Sequence, residues 1–413
     1  MRTLVLGCSS GTLSYRVVEP GLGTPALAGT IRRIGPDAEH VYRYAAGRGE
    51  GCAEAGTVEQ AVERLADLLD DMESAKAPVG ADVAAYVLGR APAWLGSAAI
   101  VDDACLARLE ASDGSEALDD DLLRLVRAGR ARRPRLLHIA VADDAFFRTL
   151  PAESSAYLLP ESIAVPLGLR RRGHRGLLHD GALARMAPLL EQVDAAVRSK
   201  GQAAHPRRVV MCYLEGSAGV TAVLGNRPIW TTFGCFEGDG LPGETCAGSV
   251  DVGVLDACLG RGGMAVELFL NVLRTGAGLG PREGGTGVER VAVEAEHGIE
   301  PSRTAWGAFV QNVAAAAGGA VALLGGIDAL VFIGAGALHS ARFRHALCSR
   351  LSAFGVRAVE AAPVAGTAEV ARLSPEGAMP LVLAVPASED EMVAGIAREL
   401  AMERESREAG RRS

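Results

Sequence analysis

Four short stretches carry the polar side chains and glycines best suited to chemistry. In LVLGCSSGTLSYRV, near the start, two apolar runs flank a tight Gly/Ser turn. Such a turn between strands turns several backbone N–H groups and the hydroxyls of Ser10 and Thr12 to one side, which suits an anion such as phosphate and equally an ordinary hairpin. VVMCYLEGSAGV repeats the pattern about half the chain later, with Gly216, Ser217 and Gly219 at the turn. HIAVADDAFF reads as a buried strand ending in Asp143 and Asp144. Acidic residues at the C-terminal end of a strand in an α/β domain stand where ligands bind, so Asp143 is a candidate base, acid or metal ligand, with a turn cap as the plainer alternative. RRRGHR, Arg170 to Arg175, is a local basic run that reads as a solvated loop or as an anion clamp. Arg175 suits the second role, because a guanidinium keeps its charge and can hold a phosphate oxygen bidentately.

The elements that must position these residues alternate between strands and helices. After the first hairpin come polar loops, then TVEQAVERLADLLDDM, whose apolar residues fall at helical spacing behind a Thr57/Gln60 capping box. ADVAAYVLG (81–89) reads as a strand, VDDACLARLEA as a short helix entered from an Asp cap, and Leu136 to Val141 as a buried strand. The run Ala314 to Ala337 is apolar enough to resemble a membrane span, but it is broken by glycines and carries Asp328. It reads as a buried helix, part of one from about Thr304 to Ala322, followed by a buried strand and a third glycine-rich turn containing Gly334 and Gly336. The last element is an amphipathic helix capped by Ser388 with Glu391 three residues on, where the acid Glu389 also suits the helix dipole. The charged tail SREAGRRS is expected to fray.

At 413 residues the chain is too long for one hydrophobic core, so two domains are expected. Aromatic residues are only 4% of the total, which leaves the core to Ala, Val and Leu. A net charge of −8 argues against a nucleic-acid or anionic-membrane partner. Eight cysteines lie scattered without a CxxC pair and read as free thiols of a reducing cytosol. The opening MRTLVLG is already a strand without a long apolar signal region, which makes a cytoplasmic protein the expectation.

Two such hairpins, each opening one half of the chain, point to a duplicated domain with phosphate loops facing a shared cleft. With a late glycine turn added, this is the architecture shared by actin, sugar kinases and acetate kinase, and within that set the chain resembles the acetate kinase (acetokinase) family almost end to end. HIAVADDAFFRTLP with GLRRRGHRGLLH is similar to the family's catalytic segment, VVMCYLEGSAGV to its second phosphate loop, and LGGIDALVFIGAGALHS to its adenosine loop. The resemblance implies an α/β fold of two ribonuclease H-like domains around a central cleft. It places residues 1–200 in the first, with a 385–413 helix packing back on it, and residues 201–384 in a nucleotide-binding second. It implies ATP and Mg²⁺ as cofactors, a small carboxylate as acceptor and a homodimer.

Carried over residue by residue, the resemblance makes Asp143 the acid or base that positions the acceptor and Glu389 a Mg²⁺ ligand. Ser10, Thr12, Gly216, Ser217 and Gly219 fall at the phosphates, and Gly334 and Gly336 let the backbone approach adenosine. The chain also departs from the family. Gly7 and Ser14 replace an asparagine and a lysine, and the substrate-side arginine falls on an apolar position near Val87, leaving Arg90 as the nearest guanidinium. The catalytic histidine falls on Arg175, with His174 one place early, while His179 matches a later histidine on the substrate side. A second catalytic arginine falls on Glu244 or Thr245, and a carboxylate, Glu215, stands where phosphate would come. Gly7 and Glu215 thus stand against both cofactors. Two readings follow: a divergent ATP-dependent carboxylate kinase for which acetate is not the best substrate, and an inactive homologue that binds a ligand or partner.

Overall fold

A computed structural model describes residues 1–9, 11–19, 21, 24–45, 47–112, 118–199, 206–236, 238–280, 287–357 and 369–412. The chain forms two compact units: Met1–Ala145 with Val165–Gly168 and Ser388–Ser413, and Phe146–Ala164 with Leu169–Ala387.

In the first unit, β1 (Thr3–Ser9) and β2 (Thr12–Val18) form the expected hairpin, in register from Thr3↔Val18 to Ser9↔Thr12. The stretch read as polar loops forms three more antiparallel strands, β3 (Leu27–Arg32), β4 (Glu39–Tyr44) and β5 (Gly47–Cys52). Their glycines hide the strand pattern but have a packing reason. A Cβ on Gly29 would lie 2.3 Å from the Tyr15 hydroxyl, and one on Gly49 2.3 Å from the Tyr42 ring, so cross-strand aromatics fill the places of the missing side chains. The parallel strands β6 (Val83–Leu88) and β8 (Leu137–Ala142) and the antiparallel β7 (Ala98–Ile100) complete the order β5-β4-β3-β2-β1-β6-β8-β7.

Helices α1 (Val58–Ser74), α2 (Asp103–Glu110) and α3 (Asp120–Arg132) cover one face of this sheet, burying Val58, Val62, Leu65, Leu69, Leu122 and Leu125. Thr57 caps α1 as expected, accepting the Gln60 N–H at 3.3 Å, while the Gln60 side chain reaches back to the N–H of Gly56 rather than of Thr57. The C-terminal helix (Glu389–Arg412) packs on the same sheet through Val393, Ala394 and Ala397. It takes in the tail expected to fray, running on to Arg412.

The second unit repeats the plan. β9 (Arg208–Glu215), β10 (Ser217–Leu224) and β11 (Arg227–Thr231) form a meander, and β12 (Ala329–Ile333) and β14 (Leu381–Ala384) run parallel to β9, with β13 (Ala371–Arg372) at the edge. The order β11-β10-β9-β12-β14-β13 matches β3-β2-β1-β6-β8-β7 strand for strand, parallel and antiparallel neighbours included. This is the expected duplication. The central strands are buried on both faces, hence their nearly unbroken apolar sequence.

One face packs against α6 (Gly287–Glu296), α7 (Ser302–Leu324) and α9 (Ala341–Arg350), the other against α4 (Gly176–Ser199). Leu178, Ala182, Met186 and Leu190 of α4 lie under β9, β12 and β14, and this unit takes Phe146–Ala164 as well as the segment from Leu169 onward, although the resemblance had placed residues 1–200 in the first domain. Helix α7 is long and apolar enough to span a bilayer, but Phe309, Val310, Val313, Ala317, Ala320 and Val321 form its buried stripe in this core. Asp328, the charge in that apolar run, pairs bidentately with Arg208 at 2.7 and 3.2 Å. All eight cysteines are free thiols.

Candidate functional site

In each unit, taken by itself, candidate site residues lie at the C-terminal edge of the parallel strands. In the first, the pairing Leu6↔Tyr86 levels the β1–β2 turn with the end of β6, and Leu88↔Ala142 levels β6 with β8. One sheet edge thus carries Thr12, Arg90 and Asp143, as expected for ligand-binding residues of an α/β sheet. Asp143 and Asp144 open a 3-10 turn (Asp143–Thr149) and are only 6% and 2% exposed. Thr12 and Arg90 are half-buried, and Ser10 lies outside the described residues. Tyr86, beside the position read as having lost its arginine, is a core residue whose hydroxyl meets His138 Nδ1 at 2.9 Å. Glu389 starts the C-terminal helix, whose Glu391 N–H is capped by Ser388 Oγ at 3.3 Å. Among the described residues no three His, Cys, Asp or Glu side chains cluster as a metal site. Glu389 alone still suits Mg²⁺, which keeps several waters and takes other oxygens from phosphates.

The second unit's edge is built by the β9–β10 turn and the turn after β12. Gly216 sits between strands with φ +68°, open space where a Cβ would be, and its N–H turned outward from the ladder. That N–H is engaged: it donates to the Glu244 carboxylate at 3.1 Å. The same carboxylate accepts a long 3.4 Å bond from the N–H of Val288, in the first turn of α6. In return the N–H groups of Glu244 and Thr245 donate to the Gly216 carbonyl at 2.7 and 3.2 Å. Ser217, 7% exposed, has its Oγ buried with no hydrogen-bond partner.

The sequence reading put a carboxylate at the phosphate position and named Glu215, and here the structure corrects it. Glu215 is exposed and reaches sideways, accepting the Ala335 N–H at 3.2 Å at the start of α8 (Ala335–His339), while Glu244 takes the seat at Gly216. The remaining glycines have packing reasons of their own. A Cβ on Gly219 would fall 2.3 Å from the Phe233 ring, and one on Gly334 or Gly336 2.8 or 2.9 Å from the Leu214 carbonyl oxygen.

The basic segment precedes α4. Gly173 (φ +74°) lies so close to the Phe147 ring that a Cβ would sit 2.1 Å away, and Arg175 itself adopts φ +60°, a conformation that non-glycine residues rarely take. His174 stacks edge-on to Phe233 with ring centroids 5.9 Å apart. Arg172 is buried, and its backbone N–H donates to Gly234 O at 3.1 Å.

His179, read as a substrate contact, is corrected to a core residue. It is 0% exposed, its Nδ1–H donates to Arg175 O at 2.7 Å, and its Nε2 accepts from Thr221 Oγ1 at 3.1 Å. The rings of Phe146, Phe147, Tyr213 and Phe233 surround it, and burial pulls its pKa down to about 4 against the opposing pull of the Arg175 carbonyl. No atom of it is left for a ligand.

The seat at Gly216 fits an oxyanion. It offers backbone N–H groups and an orphaned hydroxyl, and a carboxylate already stands in it. Val288 and Ala335 escaped the sequence reading because backbone N–H donors carry no residue signature.

Comparison with known proteins completes the assignment. A crystal structure of acetate kinase from Porphyromonas gingivalis superposes with a TM-score of 0.80 at 20% identity, covering 97% of this chain and 99% of that one. A propionate kinase from Francisella tularensis superposes with a TM-score of 0.76 at 19% identity, over 95% and 98%. The fold is therefore the duplicated α/β type of actin and the sugar kinases. The model of the acetokinase family matches residues 2–395. In sequence the chain is 26% identical over 408 residues to an acetate kinase from Symbiobacterium thermophilum, covering 97% of this chain and 99% of the relative. It is 28% identical over 408 residues to one from Pseudarthrobacter chlorophenolicus, covering 95% and 97%. The chain belongs to the acetokinase family, and this membership supports a carboxylate kinase that binds ATP.

Proposed function

We propose that this chain is an ATP-dependent phosphotransferase that converts a small carboxylate to an acyl phosphate, with an acceptor other than acetate preferred. The oxyanion seat at the β9–β10 turn carries this reading, since an N–H pair and a buried hydroxyl at a hairpin turn suit a phosphoryl group. ATP would supply the phosphoryl group, and cationic side chains, with Mg²⁺ where bound, would offset the charge that two anions bring together. Glu389 would hold the metal. Asp143, buried at its strand end, orients the acceptor, and Arg90 on the same edge faces the acceptor's charge. Arg175 and His174 take the place of the cations that the family keeps elsewhere. Ser10, Thr12, Gly216, Ser217 and Gly219 line the phosphates, and Gly334 and Gly336 the adenosine. The apolar residue near Val87, where the family's substrate-side arginine falls, supports a changed acceptor.

The protein is proposed to be cytoplasmic and homodimeric. The exposed side chains of Val252, Val266, Leu268 and Leu270, the last three on α5 (Val266–Thr275), support a subunit interface.

One observation favours a second reading, a homologue that binds a ligand or partner without phosphoryl transfer: Glu244 already fills the seat. Titration calorimetry with Mg·ATP and Mg·ADP decides between them, followed by a hydroxamate screen of carboxylic acids. Micromolar nucleotide binding and acyl phosphate formation are expected. No heat and no thermal shift at millimolar nucleotide would overturn the kinase reading and leave the second.

A further inference from the structure

Resting on the reading that a nucleotide phosphate is the natural occupant of the β9–β10 turn, we propose that Glu244 is its specificity determinant. Its carboxylate is a built-in anion that an external phosphoryl group must displace before it can bind.

The turn is engaged on both sides by one short segment. Gly216 N–H donates to the Glu244 carboxylate at 3.1 Å, and Gly216 O accepts from the backbone of Glu244 and Thr245 at 2.7 and 3.2 Å. Gly243 makes this approach possible, because a Cβ there would lie 2.5 Å from Gly216 O and 2.7 Å from Ser217 Cα. The segment is tied back in turn, with Leu279 N–H donating to Gly243 O at 3.0 Å and Ala277 N–H to Thr245 O at 3.3 Å. Ser217 Oγ, next to Gly216, is buried without a partner, and an unsatisfied hydroxyl beside occupied donors marks a place where one more acceptor is missing. Among the described residues the Glu244 carboxylate accepts from Gly216 on one oxygen and from Val288 on the other, whereas a phosphoryl group has three terminal oxygens to share among these donors and the Ser217 hydroxyl.

The two anions cannot share the seat. They compete for the same N–H groups, and like charges at contact distance repel strongly where water is scarce. Glu215 plays a different part, since its carboxylate serves Ala335 and leaves Gly216 alone.

The test uses the full chain and its variants Glu244→Gln, Glu244→Ala and Glu215→Gln, titrated with inorganic phosphate and with Mg·ADP by calorimetry and thermal shift. Glu244→Gln keeps the shape and removes the charge, so it remains informative should Glu244→Ala fail to fold. Phosphate affinity is expected to rise at least about tenfold in both Glu244 variants, equivalent to about 1.4 kcal/mol, and by less than about threefold in Glu215→Gln. Folded Glu244 variants with wild-type or weaker phosphate affinity would overturn the proposal, and so would the absence of binding in every protein. The two readings fail separately. Phosphate gain without any nucleotide binding removes the kinase reading and keeps the role of Glu244, whereas tight Mg·ADP binding by the wild type with no gain in Glu244→Gln does the reverse.

Discussion

Replacing His179 by phenylalanine separates a core histidine from a ligand-binding one. The ring of His179 is fully buried among Phe146, Phe147, Tyr213 and Phe233, so a phenyl ring keeps most of the packing. It removes the 2.7 Å bond to Arg175 O and the 3.1 Å bond from Thr221 Oγ1, although Thr221 retains Thr231 as a partner at 3.1 Å. The Arg175 carbonyl keeps the backbone N–H of residue 179 at 3.1 Å, so losing the second, side-chain bond costs about 1 kcal/mol at neutral pH. The sign of the pH dependence follows from burial, which lowers the folded pKa from 6.5 to about 4. Between those values the unfolded chain binds the extra proton, so His179 lowers stability as the pH falls through that window. From pH 7 to pH 5 the loss is about 2 kcal/mol for this one group. The variant has no such loss, so its deficit of about 1 kcal/mol at pH 7 becomes an advantage of about 1 kcal/mol at pH 5. His40 carries a similar lowering, to about 4, in the first unit and is common to both proteins, so it cancels in the comparison. Urea unfolding at the two pH values reads the difference. A deficit that stays constant with pH would refute the assignment of a buried neutral imidazole. So would a variant with wild-type stability that has lost ligand binding.

Asp143→Asn is expected to lower acyl phosphate formation by about 10²- to 10⁴-fold, the usual span for a positioned proton-transfer group, while nucleotide binding measured by calorimetry stays within a few-fold of wild type. Sedimentation is expected to report a dimer, and Leu268→Glu on the exposed face of α5 to shift it toward monomer with the far-ultraviolet circular dichroism unchanged.

Much of the scaffold was legible because its signals are local. Both hairpins, the caps at Thr57, Asp102 and Ser388, the α7–β12 pair and the strand ending at Asp143 follow from turn chemistry, side-chain caps and apolar runs, each confined to a few residues. Strands β3 to β5 were not legible, since their glycines read as loop until Tyr15 and Tyr42 are seen lying over Gly29 and Gly49. Nor was the allegiance of α4, which is decided by which sheet its apolar stripe meets. The sequence by itself put a carboxylate, Glu215, at the second phosphate turn, and put Glu244 or Thr245 where the family's second catalytic arginine falls. Only the tertiary structure decided which carboxylate meets the Gly216 N–H. A hairpin alternates its side chains, so Glu215 at the end of β9 points along the edge to Ala335, and Glu244, 28 residues away, reaches the Gly216 N–H from a separate loop. Such a contact depends on how distant backbone segments pack, here on Gly243 lying against Ser217, and nothing in either local sequence encodes that distance.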